Sequence, residues 1–195
     1  MPFAFNLILD PQTSLEIERV YASLATFGIP ERDLITQYGP CVTILVVGDR
    51  VRPALVVDVL KWKLPQMGAL SVTFTQPCII AGTPPALSLR VKPTDALLAL
   101  HDMIYTELPE EEVHLHYRPA HWQPHLKLAN VHGDRAAGAR LAAKLASNWH
   151  ELTGELNKLE VMQYPPVQAI WRAPLKNAAP GSPAKCGFPA RIAPG

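Results

Sequence analysis

Cys41-Val42-Thr43-Ile44 and His125-Leu126-Lys127-Leu128 are two short strand-like tetrapeptides that begin 84 residues apart. In a β-strand, side chains i and i+2 share a face. Cys41 and Thr43 therefore point one way, and Val42 and Ile44 the other. His125 and Lys127 likewise oppose Leu126 and Leu128. A reactive side chain beside a polar, phosphate-sized partner, offered twice from matched positions, suggests a cleft with two sides.

Working outward, each tetrapeptide sits inside a similar run of elements. Phe3–Leu9 reads as a buried strand. Thr13 and Glu16 resemble a capping box ahead of a helix carrying Ile17, Val20, Tyr21, Leu24 and Phe27. The strand at 41–47 follows, then a helix at 51–62 with Leu55, Val59 and Trp62 on one face. Strands at 70–80 and 87–91 come next. Thr94 caps a helix with Leu97, Leu100 and Ile104 inward, and Glu110-Glu111-Glu112 reads as a solvated run. A His-rich approach leads to the strand at 125–131. A helix at 135–149 with Leu141, Leu145 and Trp149, a strand near 156–162 and a last strand at 167–173 complete the order. Trp62, Trp149 and Trp171 are read as core residues.

The strand at 3, the strand at 41 and the helix at 51 each recur 84 residues later. Two β-α-β-α-β units plus one terminal strand are implied, at about 3–80 and 87–162 with the final strand at 167–173. The expected class is α+β. Each lobe is an antiparallel-rich sheet with helices on one face, and the cleft lies between the lobes. The fold is expected to occupy 1–176. Residues 177–195, rich in Pro, Ala and Gly, read as a disordered tail.

Composition narrows the function classes. The chain has 195 residues, 48% hydrophobic and 18% charged, with a formal net charge of +1. That balance gives no global electrostatic case for nucleic acid or membrane, although a local basic cleft stays open. Three cysteines without a C-x-x-C indicate neither a disulfide framework nor a thiolate zinc site. The apolar run Phe3–Leu9 is too short for a signal segment or a span, so the cytoplasm is the default compartment. A monomer with no membrane partner is expected.

With these motifs in this element order, the chain resembles the two-histidine (2H) phosphoesterases, and within them the bacterial group named after 2′-5′ RNA ligase. Tyr117-Arg118-Pro119, the Leu-Ser-Leu-Arg-Val strand at 87–91 and the ending Trp171-Arg172-Ala173-Pro174-Leu175 share that likeness. Family members carry one His and one Thr or Ser on each motif strand. The resemblance implies that one imidazole takes a proton from the attacking oxygen and the other gives one to the departing oxygen. The hydroxyls hold the phosphate, and no metal or cofactor is needed. RNA ends with cyclic phosphates, 2′-5′ linkages or nucleotide phosphates are the implied partners.

The chain departs from this pattern at two of four positions. Cys41 stands for the first His, and Lys127 for the second Thr or Ser. His125 and Cys41 are the catalytic candidates, and Thr43 and Lys127 the phosphate-binding ones. A thiol, with an ordinary pKa of roughly 8.5, is a poorer proton donor than an imidazolium. Losing one acid–base partner typically costs about 10²–10⁴-fold. Lys127 can bind phosphate as a point charge, and would lower the pKa of Cys41 if the two were close. The expected function is therefore a 2H phosphoesterase with weak or altered catalysis, or a non-catalytic phosphate- or RNA-binding protein. A Cys41–His125 nucleophilic pair is the remote alternative.

Each candidate also has a plainer reading. Cys41 fits a small core residue, and Thr43 an ordinary strand former. Tyr117, Arg118 and Trp122 are substrate-binding candidates, with Arg118 meeting a phosphate and Trp122 stacking on a base. Trp122 equally fits packing of the insert onto the lobe. His114, His116, His121 and His125 raise a zinc reading, but no carboxylate or Cys stands at ligand spacing, so no metal is expected.

Overall fold

In a computed structural model, the structure describes residues 1–30, 34, 39–82, 84–132, 135–165 and 167–175. The proposed tail at 177–195 lies outside the described residues.

The chain begins with strand β1 (Phe3–Leu9), helix α1 (Pro11–Thr26), strand β2 (Cys41–Val47) and helix α2 (Pro53–Lys63). Strands β3 (Leu70–Ile80) and β4 (Ala86–Val91) follow, then helix α3 (Asp95–Tyr105). Two 3-10 turns at Glu110–Glu112 and Leu115–Tyr117 lead into β5 (His125–Asn130). Helix α4 (Arg135–Ala146), β6 (Leu152–Gln163) and β7 (Gln168–Pro174) end the fold.

All seven strands join one antiparallel sheet in the order β1-β2-β5-β4-β3-β6-β7, with a further pairing of β1 to β6. The expectation of a separate sheet for each unit is corrected here. β1 pairs with β2 and β4 with β5, as expected for matched units. The third strands are exchanged: β3 pairs with β4, and β6 pairs with β1. β3 and β6 thus each find a partner in the other half of the sequence. Leu156 on β6 stands between both, opposite Leu9 and opposite Leu70.

The alternation read from sequence decides which face is buried. Phe3, Phe5, Leu7, Val42, Ile44, Leu87, Leu89, Leu126 and Leu128 join one hydrophobic cluster. The inward residues of α1 (Ile17, Val20, Tyr21, Leu24) and α3 (Leu97, Leu100, Ile104) belong to it too. Burying a side chain of this size contributes about 1.5–3 kcal/mol, so this face fixes the strand register. Polar side chains are left to the opposite face.

Several local expectations are corrected. The N-cap of α1 is Asp10, not Thr13, because Pro11 opens the helix three residues earlier. Asp10 Oδ1 accepts from Gln12 N at 2.9 Å and Thr13 N at 3.0 Å, and Oδ2 accepts from Glu155 N at 2.9 Å. Burial alone would raise its pKa, but these bonds outweigh it and hold it below 3.8. The inner face of α2 is Val56, Val57 and Leu60, while Leu55 is 66% and Trp62 82% exposed. Apolar residues surround this helix, so periodicity alone offers two stripes and cannot choose between them. β6 starts at Leu152 rather than near 156. Gly154 is part of this strand, at a close crossing with Thr13. A Cβ there would fall 1.8 Å from Thr13 Oγ1. Trp149 and Trp171 pack on the margin of the core.

Candidate functional site

β2 and β5 meet through a single antiparallel pair, Val42 opposite Leu126. Both side chains are fully buried. The residues flanking that pair, Cys41 and Thr43 on one strand and His125 and Lys127 on the other, are half-buried on the opposite face. All four motif side chains therefore line one surface. Antiparallel register sets Lys127 across from Cys41 and Thr43 across from His125, so Cys41 and His125 stand on a diagonal.

Neighbouring strands extend this surface. Asn6 stands opposite Thr43, and Glu160 opposite Asn6. Thr43 Oγ1 donates to Asn6 Oδ1 at 2.9 Å. Glu160, only 2% exposed, is held by the guanidinium of Arg172. On the other side, Arg90 stands opposite His125, and Ser88 opposite Lys127. Sequence reasoning did not select Asn6, Ser88, Arg90 or Glu160. The signal was present in the alternation of Leu87-Ser88-Leu89-Arg90-Val91, which puts Ser88 and Arg90 on the face away from the leucines.

His125 Nδ1 lies 2.7 Å from the Gln123 carbonyl. A carbonyl can only accept, so Nδ1 carries the proton and Nε2 keeps its lone pair. Burial lowers the pKa below 6.5, the Gln123 carbonyl pulls it back up, and the charges of Lys127 and Arg90 lower it further. The imidazole is therefore neutral at pH 7 and able to accept a proton. Burial likewise lowers the pKa of Lys127.

Cys41 behaves differently from the sequence expectation. Its thiol is pushed up to about 12, first by burial and then by the Glu160 carboxylate. Lys127 does not activate it, because desolvation and a like charge both disfavour the thiolate. The protonated thiol is neither a nucleophile nor an effective acid at neutral pH, which removes the basis for a Cys41–His125 nucleophilic pair.

The approach to β5 is tied to the same surface. The Tyr117 hydroxyl is within hydrogen-bonding reach of Thr43, and burial with the neighbouring Tyr164 and Cys41 pushes its pKa up to about 12. Arg118 is engaged locally, donating from Nε to the Val113 carbonyl at 3.2 Å and pairing with Glu110 at 3.2 Å. Trp122 is 9% exposed and stacks on His101 with centroids 4.1 Å apart. Its Nε1 donates to the Thr43 carbonyl at 3.3 Å. Trp122 is thus packed against His101 and tied to the backbone of β2. His114 and His116 have ring centroids 5.2 Å apart, and no group of three metal-binding side chains gathers among the described residues.

The model of the 2′-5′ RNA ligase superfamily matches residues 10–167. Among solved structures, the TT0787 protein of Thermus thermophilus is similar with a TM-score of 0.64 at 13% identity, covering 91% of this chain and 99% of that one. LigT of E. coli complexed with ATP is similar with a TM-score of 0.57 at 12% identity, covering 89% and 96%. The same protein complexed with 3′-AMP gives 0.54 at 12% identity, covering 89% and 97%. A comparison with curated proteins gives no match. At these identities the solved structures speak for the fold alone.

Proposed function

The chain belongs to the 2′-5′ RNA ligase superfamily, and from that premise we propose that its cleft recognises the phosphate of a nucleotide or RNA end and turns over cyclic phosphodiesters slowly at most. One observation carries this reading. The four motif side chains share one surface, and His125 is the one imidazole among them.

Thr43 and Lys127 are the phosphate ligands. Thr43 offers a hydroxyl that must turn its proton from Asn6 Oδ1 to a phosphate oxygen on binding, and Lys127 offers a charge. His125 Nε2 is the general base for an attacking water or hydroxyl. The departing oxygen needs a proton from the other side of phosphorus, where the family uses a second imidazole. Cys41, held as a thiol up to about 12, gives that proton poorly. Tyr117 fixes the position of Thr43 and borders the bound group. Complexes of similar folds with ATP and 3′-AMP support a nucleotide phosphate as the ligand class.

The test is a phosphodiesterase assay on 2′,3′-cyclic nucleotides and 2′-5′-linked dinucleotides, run beside nucleotide-binding measurements. Binding is expected with turnover about 10²–10⁴-fold below that of a site with both imidazoles. Fast turnover that survives His125→Ala would remove the assignment.

A further inference from the structure

The two halves of the cleft surface differ in charge. On the β1–β2 side, Cys41, Thr43 and Asn6 are neutral, and the nearby Glu160 carboxylate is matched by Arg172. On the β4–β5 side, Arg90 and Lys127 are both cationic. Their strands are adjacent, and both charges act on His125 between them. Among the described residues neither has a carboxylate partner. The Arg90 side chain hydrogen-bonds the Cys78 thiol, which stands opposite Ser88.

Ser88 supplies a second, independent observation. It is 0% exposed, and its Oγ has no hydrogen-bond partner among the described residues. A buried hydroxyl left without a partner costs about 1–3 kcal/mol and calls for an explanation. Ser88 stands directly across from Lys127. Position 127 is where the family pattern has a Thr or Ser hydroxyl, so the hydroxyl missing from β5 is present on β4.

Charge decides what suits this half. The phosphate of a diester carries one negative charge, and would leave one of the two cations unmatched. A terminal phosphomonoester carries about −1.5 to −2 at pH 7. We propose that Arg90, Lys127 and Ser88 form a subsite for a terminal phosphomonoester, so that the cleft prefers a 2′- or 3′-phosphorylated nucleotide end to a cyclic or internal diester. The inference rests on the cleft being a nucleotide-phosphate site. Arg90 is the specificity residue, since it adds the second charge.

Calorimetric titration of the full chain at pH 7.5 with adenosine 3′-monophosphate and with adenosine 2′,3′-cyclic monophosphate tests this. The monoester is expected to bind about tenfold more tightly. Arg90→Gln, at an exposed position, is expected to abolish that preference while changing cyclic-nucleotide binding little. Ser88→Ala, which removes a hydroxyl that makes no hydrogen bond among the described residues, is expected to weaken the monoester alone by a few-fold. Equal affinity for both ligands, or equal weakening of both by Arg90→Gln, would overturn the subsite and leave the nucleotide-phosphate reading standing. Binding of neither ligand would overturn both.

Discussion

Two side chains set the chemistry of this site. His125 is oriented by Gln123 and held neutral by burial and by two cations, whereas Cys41 is held protonated by burial and by Glu160. Residual turnover should therefore be flat above neutrality and fall on the acid side, below the ordinary histidine value of 6.5, as the imidazole gains its proton. A pH–rate profile checks this, and activity that rises as pH falls below 6 would contradict a base role for His125. Cys41→His should restore a second titrating group and raise turnover of a 2′,3′-cyclic nucleotide by about 10²-fold or more. No gain in a folded variant, judged by circular dichroism, would mean that the substitution at Lys127 also limits catalysis.

At the scale of elements, the site depends on strand alternation and on two anchors. Val42 and Leu126 bury their side chains, and this turns the motif residues to the opposite face of the sheet. Trp122 fastens the approach segment to the Thr43 carbonyl, and the face it turns to His101 is covered by that ring. The α1–β6 crossing is equally specific. Thr13 is buried, and its Cβ would lie 2.7 Å from an added Cβ at Gly154. Neither group is the end of a flexible chain, so Gly154→Ala must push α1 off the sheet. A loss of about 1–3 kcal/mol in urea unfolding is expected, and an unchanged midpoint would contradict the close approach. The alternation that placed the four motif residues was legible in sequence because period two is local. The inner face of α2 was not legible, since residues 51–62 offer apolar stripes on two sides.

For the whole molecule, exchange of the third strands matters most. β1 is bonded on both edges, by β2 and β6, and β6 by β1, β3 and β7. β7 is the outer strand of the sheet order. Native-state hydrogen exchange should find the amides of β1 and of the Leu156–Gln163 part of β6 slowest, with β7 faster. Equal protection of β7 and β1 would argue against this order. The seam between β2 and β5 holds one registered pair. A surface at such a seam lets side chains from both strands reach a ligand without a continuous ladder beneath them.

By itself, the sequence determined the element order, the duplicated spacing, the buried face of each motif strand and the two departures from the two-histidine pattern. These follow from local periodicity and residue type. Tertiary structure alone decided the strand exchange and the convergence of Arg90 and Ser88 on His125 and Lys127. It also decided the protonated state of Cys41, because that depends on a carboxylate brought from β6, more than one hundred residues away in the chain. Burial and long-range charge act through space, and a linear pattern carries no record of which distant groups will share one face.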